Sequence, residues 1–139
     1  MNVDSIQNGV VIDHITAGKS MLLYELLGLD RLECPVAMIK NVTSRKMGRK
    51  DIIKIDAEIE IDLDVIGYVD PSATVNIIKS GELVEKKSIE MPETLTGVIK
   101  CKNPRCITST EQELPHIFKL TDRANKIYRC AYCETKASV

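Results

Sequence analysis

The sequence predicts an α+β protein. An N-terminal ferredoxin-like sheet of about five mostly antiparallel strands, with two helices on one face, is followed by a small C-terminal β-rich domain. Three observations lead there. Ile53, Ile55, Ala57, Ile59 and Ile61 alternate with Lys54, Asp56, Glu58 and Glu60, the period-two pattern of a half-buried strand. Leu22, Leu23, Leu26 and Leu27 recur at helical spacing. Residues 101–139 hold four cysteines in two close pairs.

Taken in order, residues 9–15 read G-V-V-I-D-H-I, a β-branched run that predicts a buried strand. Thr16 is a suitable N-cap for a helix over residues 16–28, and Gly28 a suitable stop. Residues 36–42 predict a second strand that begins after Pro35. The basic cluster Arg45, Lys46, Arg49 and Lys50 surrounds Gly48, which suits a hairpin turn into the alternating strand of residues 53–61. Asp62 can cap a short helix carrying Leu63, Ile66 and Val69, ended by Asp70-Pro71. Residues 73–87 then predict two strands joined around Ser80-Gly81. The order is strand, helix, two strands, helix, strand, strand, and placing both helices on one face of an antiparallel sheet is the economical packing. Residues 1–93 form the predicted first domain, residues 94–100 a connection, and residues 101–139 a second domain.

The second domain is organised by C-K-N-P-R-C, with Cys101 and Cys106, and C-A-Y-C, with Cys130 and Cys133. Two close pairs across one intervening segment supply the four thiolates of a tetrahedral zinc site, which makes this domain a zinc ribbon. Two disulfides, or four unrelated buried cysteines, are the alternatives. The N-terminus does not resemble a secretory signal, and the spacing is that of a metal knuckle. Four protein ligands leave no open coordination position, so the single ion would be structural. A segment below roughly 40 residues usually needs such a staple to fold. Cys34, followed by Pro35 and away from any basic helix end, reads as an inert thiol.

Charge narrows the function. Residues 1–100 carry 12 Lys and Arg against 16 Asp and Glu, a balance of −4, and residues 101–139 carry 7 against 4, a balance of +3. Four thiolates and one zinc ion together carry −2, so the second domain is near neutral, unlike a general nucleic-acid binder. A zinc-ribbon nucleic-acid module is the competing reading, and the 4% aromatic content also argues against it. No apolar run approaches the ~20 residues that span a bilayer. A reducing, cytoplasmic location suits free thiols.

No G-x-S-x-G, H-E-x-x-H, Walker-type loop or G-x-G-x-x-G occurs. Asp13-His14 invites a general-base reading, but neighbours on a regular strand point to opposite faces. Asp13, His14, Lys54 and Lys86 fall on or near strands of one sheet, where lysines could meet phosphate oxygens and strand carbonyls an exocyclic amine. On chemistry alone, solvated charges on a polar face are the plainer reading.

V-I-D-H-I at residues 11–15, M-G-R-K-D-I-I-K-I at 47–55, A-T-V-N at 73–76 and the two cysteine pairs occur in that order. Together they resemble the regulatory chain of aspartate carbamoyltransferase over nearly the whole chain. The resemblance implies a chain without catalytic activity. Its N-terminal allosteric domain would bind CTP, ATP or UTP and pair with its copy in a regulatory dimer. Its zinc domain would dock on catalytic trimers in a dodecamer that makes carbamoyl-aspartate, the committed step towards pyrimidines, with neither nucleic acid nor membrane as partner. Carried over by residue, Asp13 and His14 lie at the ribose and phosphates, Lys54 near the ribose, and Lys86 at the triphosphate. Val11 and residues 3–6 lie beside the base, Asn76 near the same pocket, and Lys50 in a loop used for a second nucleotide and metal. Asn103, Arg105 and Glu134 are candidates for the catalytic-chain contact. Two positions depart: Lys46 stands where some members are acidic, and Gly81 replaces a larger residue of the base pocket. Both bear on the choice among the three nucleotides.

Overall fold

The computed structural model describes residues 6–137, which divide after Glu90 into two units, each with its own sheet. In the first unit, β1 (Gly9–Thr16), β2 (Val36–Ser44), β3 (Gly48–Ile55), β4 (Thr74–Lys79) and β5 (Glu82–Ser88) form one sheet in the order β2-β3-β1-β4-β5. Every neighbouring pair is antiparallel. Helix α1 (Ser20–Leu26) follows β1, and α2 (Leu63–Val69) precedes β4. The expected α+β architecture is therefore present, with its strands in the expected sequence.

Register explains the core. Ile55, Val10 and Ile77 lie side by side, and Ile53, Ile12 and Val75 form the next row. Val10, Ile12, Ile53, Ile55 and Val75 are buried, together with Leu23 of α1 and Ile66 of α2. Each such side chain contributes about 1.5–3 kcal/mol by leaving water. The two helices pack on one another over this face. Asp62 caps α2 as expected, its carboxylate accepting the Asp64 N–H at 3.0 Å. Gly28 stops α1 with φ +67°, and Ser80-Gly81, at φ +52° and +76°, make the tight turn between β4 and β5.

Three elements differ from expectation. Thr16 does not cap a helix: it ends β1 opposite Lys50, and α1 starts at Ser20. The acceptor at the helix start comes instead from Asp51 of β3, whose carboxylate takes the N–H groups of Gly18 and Ser20 and the Ser20 hydroxyl. The alternating strand occupies Gly48–Ile55 rather than residues 53–61. Its ladder ends because Ile55 is paired with Val10 on one side and with Val36, the first residue of β2, on the other. Finally, the residues expected to connect the units include β6 (Thr94–Thr96), a strand of the second sheet. Leu95 is buried against Phe118, its partner in β7 (Ile117–Asp122), which ties this stretch to the second sheet. That sheet is completed by β8 (Ile127–Cys130), in the order β6-β7-β8, and a short α3 (Ile107–Thr110) follows Cys106.

Asp51 is fully buried, and Asn41 N–H is its fourth donor, at 2.8 Å. Burial works against its charge, but the Ser20 hydroxyl and the N–H groups of Asn41, Gly18 and Ser20 outweigh that and hold the carboxyl below its ordinary range. Asp51→Ala should cost about 3 kcal/mol or more, because four donors lose a charged acceptor. Its folded pKa is depressed, so its stabilisation is present above the unfolded value of about 4 and is lost as pH falls through the folded value. Urea melts of both proteins from pH 7 to pH 3 test this. The gap between them should narrow only at the acid end.

Candidate functional site

The open face of the first sheet, opposite the helices, gathers the charged residues singled out in the sequence. Lys54 pairs with Val11, Val11 with Asn76, and Asn76 with Lys86, so the four form one row across β3, β1, β4 and β5. Cross-strand partners share a face, and neighbouring strands lie about 4.8 Å apart, so the row spans about 14 Å. Lys86 is exposed, and the others are half-buried. Asn76 Oδ1 is shielded from solvent with no hydrogen-bond partner among the described residues.

Asp13 and His14 sit at the end of this row, and here the strand is not regular. Between Ile12, opposite Ile53, and Ile15, opposite Asp51, β1 carries one extra residue, a β-bulge. Ile12 and Ile15 are both buried, so the two residues between them share the outward side. His14 has φ +58°, and its Nδ1 lies 3.0 Å from Thr74 Oγ1. Asp13 accepts the His14 N–H at 2.6 Å and pairs with Lys50 Nζ at 2.9 Å. Burial raises the Asp13 pKa, but the Lys50 and His14 contacts outweigh it and keep the carboxyl below its usual range. The structure thus brings together Val11, Asp13, His14, Lys50, Lys54, Asn76 and Lys86. Residues 3–5 lie outside the described residues. A cleft of about 460 Å³ on the helix-bearing side, lined by Ile59, Ile61, Ile77, Glu85 and Lys87, contains none of these seven.

In the second unit, Cys101, Cys106, Cys130 and Cys133 place their sulfurs within 4.8 Å of one another. Cys101 and Cys133 are 3.6 Å apart, and Cys106 and Cys130 3.7 Å. A disulfide needs about 2.05 Å, whereas a tetrahedron with metal–sulfur bonds of about 2.3 Å has edges of about 3.8 Å. The quartet fits a metal ion. Register sets part of it: Leu95, Phe118 and Cys130 form one buried row across the sheet.

Sequence reasoning missed the groups around the sulfurs. Thr108 Oγ1 lies 3.0 Å from Cys106 Sγ, Thr135 Oγ1 lies 3.1 Å from Cys133 Sγ, and the Cys101 N–H donates to His116 Nδ1. The Thr135 hydroxyl and N–H lower the Cys133 pKa, while burial raises that of Cys101. A signal was present: C-x-T occurs after the second cysteine of each pair, at residues 106–108 and 133–135. Asn103 is half-buried and its side-chain oxygen accepts the Arg105 N–H, so it shapes the first knuckle. Arg105 and Glu134 are exposed.

Two family models match the chain. Residues 1–90 match the aspartate carbamoyltransferase regulatory chain, allosteric domain, and residues 93–139 its metal binding domain. The chain is 48% identical over 134 residues to the aspartate carbamoyltransferase regulatory chain of Clostridium botulinum, covering 96% of this chain and 92% of that one. It is 47% identical over 135 residues to that of Clostridium tetani, covering 96% and 94%. To that of Bifidobacterium longum it is 45% identical over 139 residues, the full length of both.

Stripping metal from the full chain with a strong chelator should collapse the NMR cross-peaks of residues 91–137 while those of residues 6–90 persist, since metal-binding energy is folding energy in such units. A dispersed second-unit spectrum without metal would show that the cysteine quartet is not what holds it.

Proposed function

The chain belongs to the family of aspartate carbamoyltransferase regulatory chains, and we propose that it binds nucleotide effectors on the open face of its first sheet and holds a structural zinc ion with its four cysteines. It is a regulatory rather than catalytic chain, built of an allosteric and a metal-binding domain. The effectors are CTP, ATP or UTP. The observation that carries this is the row Lys54–Val11–Asn76–Lys86 ending at the Asp13–His14 bulge. It sets point charges suited to phosphate oxygens beside an apolar surface suited to a base. Asn76 Oδ1, buried and without a partner among the described residues, is an acceptor in want of a donor such as an exocyclic amine or a ribose hydroxyl. Zinc is the ion that four thiolates at this spacing select in a tetrahedral site.

On this reading, the zinc unit docks on catalytic chains through the knuckle loops, with Asn103, Arg105 and Glu134 at the contact, and catalytic trimers join regulatory dimers formed by the first unit. The setting is pyrimidine biosynthesis in the cytoplasm. Among the described residues, no helix is long and apolar enough to cross a membrane.

Calorimetric titration of the zinc-loaded chain with CTP, ATP and UTP tests the effector role. Lys86→Ala should weaken CTP about 10-fold or more while changing cytidine binding less than about 2-fold, because the lysine's charge acts on phosphates. Equal losses for both would remove Lys86 from that role.

Docking has a separate test. Cys106→Ala should abolish assembly with catalytic trimers in gel filtration while leaving CTP binding within about 2-fold, since the two sites lie on different units. Normal assembly by this variant would refute docking through the zinc unit.

A further inference from the structure

The sequence marked Asp70 only as the end of a helix and Ser72 not at all, yet Asp70 bonds to the backbone that follows His14 and Ser72 bonds to Asp70. Asp70 caps the C-terminal end of α2, is 2% exposed, and spends its carboxylate on other groups. Oδ2 accepts the Thr16 N–H at 2.5 Å, and Oδ1 accepts the N–H and hydroxyl of Ser72 at 3.0 and 2.5 Å. The Ser72 Oγ also lies 3.3 Å from the His14 carbonyl oxygen and 3.4 Å from Thr16 Oγ1. The single Ser72 hydroxyl proton goes to Asp70, the shorter contact and the charged acceptor, so Ser72 fixes the Asp70 carboxylate, which in turn grips the chain at Thr16, beyond the fully buried Ile15. On the other side of His14, the ladder is held by the Asp13–Thr74 pair.

His14 between these grips occupies the left-handed region, at φ +58°, which a residue with a Cβ adopts only where its surroundings enforce it. That backbone state decides where the imidazole goes. Thr74 Oγ1 engages Nδ1, so Nε2 is the ring nitrogen left for a ligand. We propose that Asp70 and Ser72 are positioning residues of the effector site: they act through His14, holding its bulge so that the imidazole is presented ready-made to the nucleotide. This rests on the effector reading above. The physical gain is preorganisation, since a His14 free to leave the bulge must be ordered again at each binding event.

Ser72 is exposed, so its substitution tests the idea without emptying the core. Ser72→Ala in the full zinc-loaded chain should weaken CTP about 5-fold, the worth of the one hydrogen bond that fixes Asp70, and Ser72→Thr should restore it to within about 2-fold. In a His14→Ala background, Ser72→Ala should change CTP affinity less than about 2-fold, because the residue it acts through is gone. The His14 imidazole signals, followed by ¹⁵N NMR without ligand, should show a fixed tautomer in the parent chain and averaging between tautomers in Ser72→Ala. Unchanged imidazole signals, or the same loss with and without His14, would overturn the proposal. Should the parent chain bind none of the three nucleotides, the effector reading falls, and the ligand-free spectra still decide whether Ser72 holds His14.

Discussion

The first unit depends on one buried carboxylate. Asp51 stands on β3, the strand that pairs with both β1 and β2, and each of those neighbours carries an extra residue beside it. On β1 the bulge falls between Ile12 and Ile15, and on β2 between Ile39 and Val42. Each has one residue in the left-handed region, His14 and Asn41. Asp51 fixes the second bulge through the Asn41 N–H and sets the start of α1 through Gly18 and Ser20. A buried carboxylate left unpaired costs several kcal/mol, and hydrogen bonds to a charged acceptor are worth about 1.5–3 kcal/mol each, so four donors decide the balance. Bulges strengthen the local twist and re-aim side chains. Asp13 and His14 share the outward side because of such a bulge.

The second unit meets the same need for a core by other means. Its three short strands bury Leu95, Phe118 and Tyr128, and Cys130 continues the row of Leu95 and Phe118. The Tyr128 hydroxyl is satisfied by the Pro92 carbonyl. Burying three large side chains falls well short of what ordering the unit requires. Metal binding at a structural thiolate site is worth about 10–16 kcal/mol, which is the whole stability of an ordinary domain. The ion and the small core are therefore complementary halves of one hydrophobic and coordinative centre.

Much of this was legible in the sequence, and the misses share a cause. Local signals held wherever the partner was local. Asp62 capping α2, Gly28 stopping α1, and Ser80-Gly81 turning between strands all act within a few residues. Thr16 failed as a cap because Asp51, 35 positions later in the numbering, supplied the acceptor at the helix start. The alternation of residues 53–61 is real, and Ile59 and Ile61 are half-buried, but a strand ends where its ladder partners end. Parity made Asp13 and His14 look divided between faces, and only the register of three strands reveals the extra residue that unites them. The metal site was the most legible, because its chemistry is written in cysteine spacing. The flanking threonines escaped notice although C-x-T appears twice.

The proposed effector face contains an anion among its cations, and that sets how a nucleotide can lie on it. Asp13 stays ionised beside Lys50, half-buried at 2.9 Å, so it can only accept hydrogen bonds and repels phosphate. Ribose hydroxyls are donors and suit it. Lys86 lies two strands away from β1, about 10 Å at ordinary strand spacing, and is exposed. On the proposed reading, phosphates would be attracted to the β5 end and the sugar to the bulge. A uniform cluster of lysines would bind a triphosphate in several orientations. One carboxylate among the cations would select among them, because it offers the ribose hydroxyls an acceptor that phosphate oxygens cannot use. Orientation is what an allosteric site needs, because a coupling of about 1–3 kcal/mol requires the ligand to favour one arrangement of the chain over another, and a ligand lying several ways at once favours none.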